Sequence, residues 1–479
     1  MRPFKVLLFI IFVFASLGVL GWIFPVNGVN IGQIHLSFPS PKEVLQVEQS
    51  STIDVENTVT MLKSQSDLSQ VNTILDSLLF CKKFAQNNVS RLHFPNNDYT
   101  YWDDFFALLA SSSTKNRAIH IVHYGDSQIE MDRISSVFRH RLQGKFTGKG
   151  AGMVPPIQTI PSYTVRQSYA GNLSRYVVYG DTSQPRAAHR RYGILANLAQ
   201  LNGEASITVG SNVGKRVFEN TTQFNRIVML IGNNINNFKA VCKNQTRSVS
   251  GSNAGVTRLT WDFDTPISQA TLYLQGTAEI YAISMENKSG IVVDNVPMRG
   301  CSGTIFTRMD SATLAQCNAN MNVKLIIMQY GGNMMPMINS QKSIDNYMQK
   351  IAKQIKYLKN INPQAEILFI GPSDMSKKID GKMQTYPFLP ALNEALKNTV
   401  LQNGGVFWDM FNVMGGKNSM ISWVNHSPAW AGGDYIHFTE AGANEIANLL
   451  SEAFLLHYEF YALRMRCPEY LIEKFMKMN

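Results

Sequence analysis

The chain has 479 residues, 45% of them apolar and 16% charged, with a formal net charge of +10. This length and apolar content allow two or three domains with full cores and exclude a disordered chain. The positive balance favours anionic partners, but without a dense Lys/Arg block or a nucleic-acid-binding signature it does not point to nucleic acid.

At the N-terminus Arg2 and Lys5 precede an uncharged run from Val6 to Phe24. Those 19 residues suffice to cross a hydrocarbon core of ~30 Å as a helix. The positive flank would stay inside, which places everything after Phe24 outside the cytoplasm. Residues 1–24 are thus predicted to be a transmembrane signal anchor, with the inner membrane as a partner and the body facing the periplasm. Small residues at Ala15-Ser16-Leu17-Gly18 leave secretion after cleavage as the alternative. Residues 25–99 read as a tether, uncharged to Pro41, followed by a helical region. In that region Lys42, Val44 and Leu45 lead on to apolar positions such as Val59, Leu62, Val71, Leu75 and Leu78, spaced partly by three and four.

Residues 100–165 form a first catalytic segment: a helix over Tyr101–Ala110, a β-branched strand over Ala118–Tyr124, and a helix over about Glu130–Arg141. From 166 to 291 the pattern changes. Short β-rich runs (Arg175–Tyr179, Ser206–Gly210, Arg226–Ile231, Thr257–Phe263, Ala270–Gln275, Ile280–Met285) alternate with Asn, Gly, Ser and Thr, which predicts an inserted antiparallel sandwich. Helix–strand alternation resumes over 292–460, with strands at Val323–Gln329, Ile367–Ile370 and Val406–Met410. Helices are predicted over Ser343–Asn360, Leu389–Asn403 and Glu440–Phe454. Such alternation implies a parallel sheet covered on both faces, with functional residues at the carboxyl ends of its strands. The tail, 461–479, mixes basic and aromatic residues and reads as an amphipathic segment, at the membrane or along the body. The five cysteines (Cys81, Cys242, Cys301, Cys317, Cys467) show no metal-type spacing. Cys301 and Cys317 are the nearest pair.

Three distant stretches complement one another chemically. In Tyr124-Gly125-Asp126-Ser127-Gln128 a serine follows a strand directly, where a tight turn exposes its side chain and aims backbone N–H groups at one spot. Near the C-terminus, Asp434 lies three residues before His437. A carboxylate there can fix the imidazole tautomer, and the imidazole can take a proton from the serine. Thr439 is a plausible N-cap for the helix that follows. Asn333, in Tyr330-Gly331-Gly332-Asn333, offers an amide donor for an oxyanion. The backbone of Gly300 is a further candidate donor, and Gly303 would serve almost as well. Arg133 suits either substrate contact or anchoring of its helix. Trp423, Trp430 and Tyr435 suit a sugar platform or the core.

Together the motifs resemble those of the SGNH (GDSL-type) hydrolase superfamily, whose four blocks supply Ser, Gly, Asn and Asp-x-x-His in this order. Ser127, Gly300, Asn333, and Asp434 with His437 match them, over roughly residues 100–165 and 290–460. Met334 stands where the family has Asp, and Gln128 where Leu, Ile or His is more usual. The string from His123 to Ile134 is similar to exported peptidoglycan and polysaccharide O-acetylesterases that carry a β-sandwich between the Ser and Asn blocks. The resemblance implies a flavodoxin-like α/β/α sandwich and a serine esterase that deacetylates cell-envelope polysaccharide, requiring no metal or organic cofactor. Its catalytic residues would be Ser127, Asp434 and His437, and its oxyanion donors Ser127, Gly300 and Asn333. A polysaccharide O-acetyltransferase using the same triad and a non-catalytic glycan-binding protein are the alternatives.

Overall fold

The computed structural model describes residues 3–25, 29–31, 34–36, 53–68, 73–251 and 255–468, with 470, 472 and 475. It divides into two compact units, Met1–Thr52 and Ile53–Asn479. In the first, strands β1 (Val29–Ile31) and β2 (Ile34–Leu36) pair antiparallel within the predicted tether. The rest of that tether, along with Lys42, Val44, Leu45 and Val71, lies outside the described residues apart from Pro25. The apolar N-terminal run forms the helix Pro3–Ile23, on which Phe4, Phe9, Phe12, Phe14 and Trp22 are exposed. Its described side chains are interrupted at 18 and 21, and among the described residues no helix is long and apolar enough to cross a membrane. The predicted transmembrane helix is therefore corrected to a hydrophobic helix with exposed side chains.

The second unit contains two large sheets. The first joins β3 (Leu92–His93), β4 (Ile119–Gly125), β12 (Ile291–Pro297), β13 (Val323–Gln329), β14 (Glu366–Ile370) and β17 (Val406–Trp408) in the order β12-β4-β13-β14-β17-β3. All neighbours run parallel except β3, an antiparallel edge. Numbered among themselves in chain order, the five parallel strands lie 2-1-3-4-5, the flavodoxin-like arrangement. Side chains alternate along β4: Ile119 and Ile121 enter one core, Val122 and Tyr124 the other. The first core is covered by helices Ile74–Asn87, Asp103–Ala110, Ser135–Phe146 and Glu440–Arg466. Ser311–Asn320, Gln341–Ile361 and Leu389–Gln402 cover the second. Burial on both faces explains why these strands read as continuous apolar runs.

The residues between β4 and β12 form β5 (Gly152–Val154), β6 (Val165–Val177), β7 (Asn197–Ser211), β8 (Phe224–Cys242), β9 (Gln245–Val249), β10 (Val256–Ile267) and β11 (Gln269–Glu286). They make one seven-stranded antiparallel sheet with the path β10-β8-β11-β7-β6, on which β5 joins β11 and β9 joins β8. The expected pair of separate sheets is thus a single connected one. The runs predicted as two strands, 270–275 and 280–285, are one strand, β11, whose register against β8 shifts around Gly276. Gly276 has φ of +103°, and a Cβ there would lie 2.5 Å from the Asn237 carbonyl oxygen, so the irregularity depends on glycine. Among the described residues this sheet's core, including Trp261, Phe238, Ile231 and Leu272, draws on no helix, so the sheet covers its own apolar face. A further hairpin, β15 (Ser376–Ile379) with β16 (Lys382–Thr385), stands apart.

Helix Glu440–Arg466 runs past the predicted end at Phe454 and buries Phe460 and Ala462, so the start of the tail lies along the body. The cysteines are all buried free thiols, with Cys301 and Cys317 unpaired. Trp423 and Trp430 pack against each other in the core.

Candidate active site

In a 2-1-3-4-5 sheet the connections leave the first and third strands on opposite faces, opening a crevice at their carboxyl ends. These strands are β4 and β13, and they carry the predicted serine and asparagine loops. After Gly125 the chain makes a 3-10 turn, Ser127–Ile129, for which Asp126 is the cap, its Oδ1 accepting the Gln128 N–H at 2.9 Å. Ser127 begins the turn half-buried, with its hydroxyl turned toward the C-terminal loop. The predicted helix starts late, at Ser135, because Met131 and Asp132 take left-handed φ values of 62° and 67°. Asp132 is there held in a buried bidentate pair with Arg139.

The C-terminal loop brings the other two groups. Ser127 Oγ lies 2.8 Å from His437 Nε2, and His437 Nδ1 lies 2.7 Å from Asp434 Oδ2. Asp434 Oδ1 accepts the backbone N–H groups of Ile436 and His437 at 3.0 and 3.1 Å. Burial raises the Asp434 pKa, but the hydrogen bonds from His437 and from these two amides outweigh it and hold the carboxyl below its ordinary range. Asp434 therefore stays ionised at neutral pH, its charge facing the imidazole Nδ1–H. Thr439 caps the next helix as predicted.

Asn333 lies across the crevice, and its Nδ2 donates to Asp126 Oδ2 and to the Cys301 carbonyl, each at 3.1 Å. Asp126 thus ties the serine turn to the asparagine loop. Burial pushes its pKa up to about 6, opposed by the Gln128 amide, the nearby His437 and Asn333. Gly300 sits on the exposed turn after β12, outside the cleft lining. Met298 of that turn is bonded through its N–H to the Gly125 carbonyl. At Gly303, φ is +76° and a Cβ would lie 2.6 Å from the Tyr330 ring, so this glycine serves packing. Arg133 anchors, donating to the carbonyls of Ser127, Glu130 and Phe438.

Ser127, Asn333 and His437 line one cleft of about 680 Å³ that opens to solvent, together with Gln128, Gln329, Tyr330, Ser373, Met375 and Tyr386 among others. Gln329 Nε2 and Tyr330 Oη are buried there without a protein hydrogen-bond partner. Among the described residues no group of three His, Cys, Asp or Glu side chains is arranged to hold a metal ion. A hydroxyl, an imidazole and a carboxylate in series can move one proton from oxygen to nitrogen, which is the chemistry of acyl transfer. From the sequence Asp126 has no assigned role and Gln128 stands out only as a departure from the family's usual residue, with a bearing on substrate choice; their polarity beside the serine was the available signal.

No family model matches the chain and no curated protein matches it. Among solved structures it is similar to a peptidoglycan O-acetylesterase, with a TM-score of 0.61 and 21% identity over 75% of this chain and 96% of that one. A family two carbohydrate esterase from Cellvibrio japonicus aligns at 10% identity over 62% of this chain and 99% of that one. Its TM-score, 0.24, is too low to bear on the fold. The chain thus shares the fold of the first structure, an α/β body with an added all-β sheet.

Proposed function

We propose that the protein is a serine esterase that removes O-acetyl groups from a polysaccharide, with peptidoglycan as the first substrate to test. The observation that carries this reading is the unbroken Ser127–His437–Asp434 series at the switch point of the sheet. The shared fold with a peptidoglycan O-acetylesterase supports the choice of substrate. Ser127 Oγ attacks the acetyl carbonyl as His437 Nε2 takes its proton. The tetrahedral oxyanion is held by the Ser127 N–H and by Asn333 Nδ2, which redirects one hydrogen from its resting acceptors. His437 returns the proton to the leaving sugar oxygen. Water, deprotonated by His437, then splits the acetyl-serine to acetate and free enzyme. Asp434 holds the imidazole in one tautomer throughout.

The substrate would lie outside the cytoplasm, and the exposed apolar helix Pro3–Ile23 is in this reading the export segment. Fractionation of cells producing the full chain tests that placement; recovery wholly in the cytoplasm would remove it.

The direct test follows p-nitrophenyl acetate hydrolysis, and acetate release from O-acetylated peptidoglycan, with wild type and Ser127→Ala. Both activities are expected in wild type, and a loss on the order of 10⁴–10⁶ in kcat in the variant. An equally active Ser127→Ala would contradict the nucleophile. Transfer of acetyl to a glycan acceptor in excess of hydrolysis would replace the esterase with an acyltransferase.

A further inference from the structure

His437 belongs to no regular element. It sits in the loop between helices Ser419–Asn425 and Glu440–Arg466, so its approach to Ser127 depends on what holds residues 436–438. Some of those bonds are internal to the loop. Asp434 Oδ1 accepts from the Ile436 and His437 amides, and Gly432 N–H donates to the His437 carbonyl at 2.8 Å. They shape the loop without fixing it against the serine. Attachment to the serine segment comes from two side chains, Gln128 and Arg133. Gln128 Nε2 donates to the Ile436 carbonyl at 2.7 Å, and its Oε1 accepts the Phe438 N–H at 3.3 Å. Arg133 donates to the Phe438 carbonyl at 2.9 Å while also holding the Ser127 carbonyl at 3.2 Å.

We infer that Gln128 is a positioning residue: its single amide grips the backbone on both sides of His437 and so sets the distance between base and nucleophile. The side chain fits this task for three reasons. It follows Ser127 directly, so any movement of the turn carries both together. It is only 8% exposed, so water competes weakly for its hydrogen bonds and an unmade one is costly. It presents a donor and an acceptor at one end, matching a carbonyl at 436 and an N–H at 438 two residues apart. Glutamate could accept from Phe438 but has nothing to donate to Ile436, and methionine, of similar length, can do neither. This role is absent from the sequence signature, where position 128 departs from the commoner family choices.

The inference rests on the proposed activity only for its kinetic readout. In the full chain, Gln128→Met is expected to lower kcat for p-nitrophenyl acetate by about 10²-fold, the scale of a roughly 1 Å misplacement. KM should change much less than kcat, because methionine replaces a single lining side chain by one of similar length. Gln128→Glu, retaining the acceptor, should fall between. A crystal structure of Gln128→Met should show Ser127 Oγ and His437 Nε2 moved out of hydrogen-bonding distance. Unchanged kcat, or a loss shared equally between kcat and KM with general thermal destabilisation, would overturn the proposal. So would a crystal structure that keeps the 2.8 Å contact. If wild type hydrolyses no ester, the functional reading fails, and the crystallographic distance still decides the positioning role.

Discussion

At the cleft, the His437 ring is hydrogen-bonded to one carboxylate, Asp434, and remains partly open to solvent. At the seam between the two sheets, His120 on β4 lies between Asp294 on β12 and Glu286 on β11, at 2.8 and 3.0 Å, with all three buried. Two carboxylates engage both ring nitrogens as donors, so His120 has no free lone pair with which to accept a proton. With one carboxylate on Nδ1, His437 keeps Nε2 for Ser127. Burial alone would push the His120 imidazole down, but the charges and hydrogen bonds of Asp294 and Glu286 raise it to about 10. Burial likewise raises Glu286, while the His120 cation beside it and the Ser284 hydroxyl bring it below its ordinary value. The number of carboxylates and the access of water thus decide whether a histidine is a proton carrier or a fixed charge.

Asp434→Asn leaves the geometry of the loop nearly intact but reverses the favoured tautomer, and kcat should fall on the order of 10⁴. The thermal midpoint should barely move, because Asp434 is largely exposed. Steady-state kinetics and calorimetry on one preparation check both halves. At the seam the expectation is inverted. His120→Leu removes the cation between two buried carboxylates, leaving Glu286 with Arg258 at 3.5 Å and Asp294 with the Met153 N–H, and should cost about 3 kcal/mol of stability. The folded fraction should keep its catalytic constants, as denaturant titration paired with active-site-normalised kinetics would reveal.

The smallest effect is in pH dependence. His120 is raised above the ordinary imidazole value of 6.5, so its stabilisation is complete below that value and is lost as pH rises toward about 10. Glu286 is lowered below 4.5, so its share is present above 4.5 and is lost as pH falls through the folded value. Thermal midpoints measured between pH 5 and 10 should decline on the alkaline side more steeply for wild type than for His120→Leu. Parallel curves would mean that the seam does not hold a charged histidine.

Most of the α/β body was legible because its strands are buried on both faces and its helices carry a regular apolar stripe. Gln341–Ile361 and Leu389–Gln402 differ from their predicted bounds by no more than two residues at either end. The short edge strand β3 and the hairpin β15–β16 left no comparable pattern. Strand β11 was divided in two because Gly276 looks like a turn in sequence, whereas in the sheet it relieves a bulge. In the cleft, the spacing of Asp434 and His437 conveyed their pairing, since three residues in one loop can fold back on each other. The ties made by Gln128 and Asp126 join segments separated by hundreds of residues, and no local pattern encodes them. The seam was hidden for the same reason: His120, Glu286 and Asp294 meet only once both sheets have formed.

Activation of Ser127 by His437 makes the serine reactive toward fluorophosphonates. Wild type and Ser127→Ala would each be treated with a fluorophosphonate and their intact masses measured. One adduct is expected on wild type, located to the peptide bearing Ser127, and none on the variant. An unlabelled wild type, or an adduct that persists in Ser127→Ala, would contradict that activation.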